Sequence, residues 1–299
     1  MAVSTKCSIK GQVKSISLPS RSHPTTLRIE QQLNTTKTAA SVAAAKPTAE
    51  TICNGLLELV EVYKCMDTLL NSSSTKLLIS RQQNKKWVEN LIDETVNFLD
   101  VCGSTKDMVT QIKEHIVDLQ CALRRRKGDS NVENSIMKYN CFRKKIKKDI
   151  KLLAGNLKKV DNVITVVDSD IDHQLAAVIK SVIEVSEITV SVFESLLMFM
   201  SLPISRANKW ALVVSKLMHK GMVTCEHQQE QMNEFESVED ALKSLYKCES
   251  YADEFEKMQV TKSRLEKLET RIDCVETKLE CMFRQLIGTR SSLLNIISQ

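Results

Sequence analysis

Residues 265–286 read LEKLETRIDCVETKLECMFRQL, and the placing of their apolar side chains decides the fold class. Leu265, Leu268, Ile272, Val275, Leu279, Met282 and Leu286 follow one another at alternating steps of three and four. A helix turns about every 3.6 residues, so this spacing lays all seven along one seam, the a/d signature of coiled-coil packing. As a helix the stretch spans roughly 30 Å. Gly288 closes the strict pattern, and Leu293, Leu294, Ile296 and Ile297 continue an apolar end. The seam is read as part of an intramolecular bundle, because apolar stripes recur elsewhere in the chain; an intermolecular coiled coil is the alternative.

Two further stripes lie upstream. Between Trp87 and Leu123, the set Val88, Ile92, Leu99, Cys102, Val109, Ile112, Ile116, Leu119 and Leu123 draws one helical face, with Gly103 as the place for a bend. From Phe142, a second long helix carries Ile146, Ile150, Leu153, Leu157, Val160, Ile164, Val167 and Ile171, separated from the first by the polar turn at 127–131. Residues 175–204 are apolar nearly all round, as in a helix at the centre of a bundle or in a membrane. The longest uncharged run there, Ser195 to Ser205, has eleven residues where about twenty are needed to span a bilayer. Glu194 would add about 2.5 to 3.5 kcal/mol of insertion cost near the centre of such a span. A buried central helix ended by Pro203, with an amphipathic return through Trp210, Val213, Val214, Leu217 and Met218, is therefore expected.

Composition supports the same class. Seven glycines and four prolines in 299 residues are under 4%, where about 12% is typical, which speaks against turn-rich sandwiches, barrels and βαβ folds. Pro19, Pro24 and Pro47 fall in the first fifty residues, as do seven Lys/Arg against only Glu30 and Glu50. The remaining 249 residues hold 35 basic and 35 acidic side chains, so the net +5 resides in the tail. The expected architecture is all-α: a disordered, basic, Ser/Thr-rich tail over 1–50, then one elongated multi-helix bundle over 51–299 with a coiled-coil-like carboxyl-terminal helix. Ten cysteines scattered from Cys7 to Cys281 without C-x-x-C spacing fit a reducing compartment, where they serve as small buried apolar residues.

The body's zero charge is a cancellation. Arg124 to Lys159 contains thirteen bases and three acids, and Glu226 to Glu280 contains fifteen acids and eight bases. Candidate contacts to an anionic surface are Arg124, Arg125, Arg126, Lys127, Arg143, Lys144, Lys145, Lys147 and Lys148; the plainer reading has the basic hairpin facing the acidic helices or simply solvated. Only Tyr139 and Phe142 interleave with these bases, too few for a base-stacking platform, so nucleic acid is not the expected partner. A membrane surface, or proteins docking on helical faces, fits better.

No H-E-x-x-H, P-loop, G-x-G-x-x-G or G-x-S-x-G occurs. His219, Cys225 and His227 match no zinc spacing, and Asp168, Asp170, Asp172 and His173 lack the glycine and terminal Glu of a calcium loop. Neither an enzyme nor a cofactor or metal protein is therefore expected. Residues 1–29 hold five bases, nine Ser/Thr and no acid, and lack the apolar core of a secretory signal. That composition fits a plain disordered tail of a cytoplasmic protein with possible membrane association; a chloroplast transit peptide is the alternative. Within it, Lys14-Ser15-Ile16-Ser17-Leu18-Pro19 resembles the phosphoserine motif bound by 14-3-3 proteins, with Lys14 where Arg is usual. A phosphate on Ser17 would present about −1.5 to −2 charge to an Arg cluster, and Pro19 would turn the chain out of the groove.

Five blocks carry a family resemblance: SLPSRSHP (17–24), WVENLIDETVNFLDVCGSTKD (87–107), ALRRRKGDSNVE (122–133), NEFESVEDALKSL (233–245) and CVETKLECMFRQLIGTRSSLLNIIS (274–298). In this order they resemble the plant proteins grouped as domain of unknown function 241, related to the BYPASS proteins of land plants. The resemblance implies a plant source, no established enzymatic activity, and a regulatory role in root and shoot development by restraint of a root-derived mobile signal. Some relatives carry a chloroplast label. The chain departs from the family at Lys14 and Ser22, where Arg and Pro are more usual, and the first departure weakens the 14-3-3 motif.

Overall fold

The computed structural model describes residues 24–81, 86–125, 129–160, 173–201, 233–245 and 251–298. Every regular element among them is an α-helix: α1 (Pro24–Ala45), α2 (Ala49–Leu70), α3 (Ser73–Ser80), α4 (Lys86–Arg124), α5 (Asp129–Val160), α6 (His173–Ser201), α7 (Glu234–Leu245) and α8 (Tyr251–Ile297). The 47 residues of α8 make a rod of about 70 Å, which sets the elongated form of the bundle.

The seam seen in residues 265–286 is longer than the strict apolar pattern. Thr261, Leu265, Leu268, Ile272, Val275, Leu279, Met282, Leu286, Thr289, Leu293 and Ile296 are all buried and keep the three–four spacing throughout. Gly288 therefore does not close it: a buried threonine holds the next seam position, and a search for large apolar residues passes over it. The seam is filled within the chain, by α2 on one side and α4 on the other. Cys53 meets Cys274, Asp67 accepts from Thr289, and Asn71 donates to Ser292, a nearly constant offset in sequence that makes α2 and α8 parallel. Lys113 pairs with Glu276, Gln120 donates to Glu269, and Arg290 donates to Thr95, so α4 runs antiparallel to α8.

The buried seam of α4 is Val88, Leu91, Thr95, Phe98, Cys102, Thr105, Val109, Ile112, Ile116, Leu119 and Leu123. Toward its amino end the phase differs by one residue from the sequence expectation: Leu91 and Phe98 are buried, whereas Ile92 and Leu99 flank the seam, half-buried. Both pairs lie inside one wide apolar stripe, and packing chooses between them. The helix runs unbroken through Gly103, where the Phe283 ring would lie 3.8 Å from an added Cβ.

Residues 173–201 form a largely buried helix: α6 packs on α1, α2 and α5 and buries a wide arc that includes Val178, Val182, Val192, Phe193 and Phe199, while Lys180 and Glu187 on the remaining face are exposed. Among the described residues no helix is long and apolar enough to cross a membrane. The expected return helix after Pro203, like Ile164, Val167 and Ile171, lies outside them.

A described helix lies ahead of residue 50. Pro24 opens α1, as a proline can at a first helical position, and Ile29, Leu33, Thr36, Ala40 and Ala43 bury a three–four seam against α2 and α6. Small Ala and Thr side chains bury completely and let the backbones approach, but they carry little weight in a hydropathy reading. Thr48 caps α2 reciprocally with Thr51, directly after Pro47, so the charge and proline boundary marks an interhelical turn.

Candidate functional site: a basic face and the buried arginine behind it

On α5, Ile136, Tyr139, Ile146, Ile150, Leu153 and Leu157 are buried at three–four steps, and Arg143 occupies the seam position between Tyr139 and Ile146. Its side chain is only 3% exposed. Arg143 Nε donates to Glu239 Oε1 at 3.1 Å, and Nη1 donates to the Met200 carbonyl at 2.8 Å, engaging an acceptor that the last turn of α6 leaves open. The guanidinium also lies 4.3 Å from the centroid of the Phe235 ring, which meets Phe199 edge to face. Among the described residues Arg143 Nη2, Glu239 Oε2 and Tyr139 Oη have no hydrogen-bond partner. Burial pushes the Tyr139 phenol up to about 12, opposed by Arg143 and reinforced by Glu239.

This cluster pins α7 to the middle of α5 and the carboxyl end of α6. Asn233 caps α7 by accepting from the Phe235 amide at 2.8 Å, and its own amide donates to the carbonyls of Pro47 and Phe199. Glu236 returns a contact to the Asn233 backbone N–H, completing a capping box. Beside it, a cleft of about 310 Å³ opens where the amino ends of α2 and α7 meet α8, lined by Thr48, Glu50, Glu234, Ser237, Arg264, Lys267 and Arg271. Its polar groups already engage one another: Glu234 accepts from the Ala49 amide, and Arg264 donates to the Ser237 carbonyl.

With Arg143 fixed inward, the helical rotation of about 100° per residue turns the next positions out. Lys138, Lys144, Lys145, Lys148, Lys151 and Lys158 are exposed along one side of α5, over a length of about 30 Å. No salt bridge holds any of them among the described residues. Met137 and Leu152 stand on the same side, 57% and 72% exposed. Lys147 is different: it is half-buried, and desolvation lowers its ammonium below the ordinary range, with Glu239 opposing and Arg143 and Lys243 adding to the shift.

A family model described as Protein BPS1 matches residues 55–296, from α2 through α8. The chain belongs to the BPS1 family. No curated protein and no solved structure matches it at a significant level.

The sequence-derived site residues of this BPS1-family chain fall into five groups, of which the half-buried Lys147 forms one by itself. Lys144, Lys145 and Lys148 stand on the exposed face. Arg124 and Arg125 are exposed at the end of α4, with Arg124 Nη2 at 3.9 Å from Glu266. Arg143 is corrected from surface contact to buried structural cation, since its charge is already committed to Glu239 and the α6 carbonyl. Arg126, Lys127 and the tail motif Lys14, Ser15, Ser17 and Pro19 lie outside the described residues. The sequence reading passed over Lys138 and ended the face at Lys148, and so missed Lys138, Lys151 and Lys158. Continuing the spacing of the α5 seam would have found them, and would equally have placed Arg143 inside.

Proposed function

We propose that this BPS1-family chain is a non-enzymatic regulatory or scaffolding protein of root and shoot development that restrains a root-derived mobile signal. Family membership supports the reading, together with a sequence that carries no recognisable catalytic motif. Removing the gene and its close paralogues should disturb root and shoot growth, and the full-length chain should restore it. Normal development in such plants would overturn the proposal.

The unpaired basic side of α5 favours a second reading, in which the protein works at an anionic membrane surface. It is the observation that carries this reading, since six exposed lysines and an exposed Leu152 on one rigid helix present charge and an apolar contact together. At about 1 kcal/mol per basic residue near an anionic leaflet, Lys144, Lys145, Lys148 and Lys151 together account for roughly 4 kcal/mol, or about a thousandfold in affinity. Flotation with phosphatidylserine vesicles should show salt-sensitive binding, absent with neutral vesicles and lost when these four lysines are changed to glutamate. Equal binding of the wild-type protein and the four-glutamate variant would remove the membrane from consideration.

A further inference from the structure

Ten cysteines without close spacing offer no pairing in the sequence, yet the fold brings two of them together across 221 positions. Cys53 leaves α2 one residue after the buried Ile52, and Cys274 leaves α8 one residue before the buried Val275. Because α2 and α8 run parallel with a nearly constant offset, the two side chains face each other, and their Sγ atoms lie 2.8 Å apart. Closing that gap to the roughly 2.05 Å of a disulfide bond requires less than about 1 Å of movement. Both thiols are free.

The surroundings divide the roles. Cys53 is 7% exposed, while Cys274 is half-buried and reached more easily. Arg271 and Lys278 stand one turn before and one turn after Cys274; burial, and after it the Cys274 contact, hold the Cys53 thiol protonated against the opposing charges of Lys278 and Arg271. Arg271 also lines the cleft at the amino end of α2, so an entry for a small polar oxidant opens about one helical turn from the sulfurs.

We propose that Cys53 and Cys274 form a dithiol site that hydrogen peroxide converts to a disulfide locking α2 to α8. The Cys274 sulfur attacks one peroxide oxygen, forming an S–O bond as the O–O bond breaks, and the departing hydroxide takes up the thiol proton to leave as water. Cys53 then attacks the Cys274 sulfur, the S–O bond breaks, and a second water leaves with the Cys53 proton. Two thiols and one peroxide yield one disulfide and two waters. A dithiol reductant reverses the change. Such bonds in reducing compartments are typically transient and redox-sensing.

Peptide mapping of the wild-type protein tests this without relying on a variant. Tryptic residues 38–64 contain Cys53 as their one cysteine, and residues 272–278 contain Cys274 as theirs. After graded hydrogen peroxide and alkylation of the remaining thiols, the two peptides should appear joined, two hydrogens lighter than their sum, and separate on reduction. The joined species should form before the exposed Cys141 and Cys281 are consumed, and thermal unfolding should shift upward in the oxidised protein. Cys274→Ser should abolish the joined species and that upward shift. Consumption of Cys141 and Cys281 with no joined peptide, or pairing of Cys53 and Cys274 with other cysteines instead, would overturn the proposal.

Discussion

Replacing Arg143 by methionine tests the interior most directly, because the guanidinium is bound on three sides. The substitution removes a hydrogen bond at 3.1 Å to Glu239 and one at 2.8 Å to the Met200 carbonyl, together with the contact to the Phe235 ring. Hydrogen bonds to charged groups contribute about 1.5–3 kcal/mol each, and a desolvated cation–π contact about 2 kcal/mol. These figures do not add. The larger consequence is a Glu239 carboxylate left 2% exposed without its hydrogen-bonded ion-pair partner, with only the half-buried Lys147 as a nearby countercharge, so the expected cost is the 3–5 kcal/mol or so seen when a buried pair loses one partner. Against a total of about 5–15 kcal/mol this is a large fraction. Arg143→Met combined with Glu239→Leu removes both polar groups and should recover most of the loss, giving a coupling energy of at least about 2 kcal/mol. Lys144→Met, one residue along on the exposed side, should cost under about 0.5 kcal/mol. Urea unfolding followed by far-ultraviolet circular dichroism measures these three variants and the single Glu239→Leu that the coupling energy also requires. The reasoning fails if Arg143→Met lies within about 1 kcal/mol of wild type, or if the double variant is no more stable than the single one.

Two further substitutions probe other parts of the bundle. Burial raises the Asp67 carboxyl above its ordinary range, although hydrogen bonds from Thr289 and Gln285 pull the other way. The native state therefore holds this proton more tightly than the unfolded chain does, and the associated stability, present in acid, is lost as pH rises through the raised native value. Asp67→Asn, which keeps an acceptor for the Thr289 hydroxyl, should raise the urea midpoint near neutral pH, with the gain fading toward acid; a gain confined to acid would contradict this. Gly155 lies within α5 on the exposed side, with nothing within 4 Å of a built Cβ, so Gly155→Ala should stabilise by about 0.5–1 kcal/mol, read as a higher Tm. A lower Tm would show that the glycine serves a contact there.

The helical class and the long seams follow from local chemistry that the sequence displays by itself. Apolar residues at three–four steps must share a face of a helix, and a chain poor in glycine and proline has few ways to interrupt it. The strongly apolar character of residues 175–204 likewise pointed to a helix with a wide buried arc, while Lys180 and Glu187 mark the face that the neighbouring helices leave open. Where several phases fit one stripe, as at Leu91 against Ile92, only neighbouring helices select the buried set. Thr261, Thr289, Ala40 and Ala43 fill seam positions that hydropathy leaves blank, and α1 was hidden in the tail for this reason. Arg143 sits in a basic run that reads as surface, yet the seam of α5 turns it inward to Glu239 on a helix 96 positions away. The pairing of Cys53 with Cys274 depends on the parallel register of α2 and α8, which no local pattern encodes. Periodicity is a property of each helix alone, whereas phase, register and the partner of a buried charge arise from packing between helices distant in sequence.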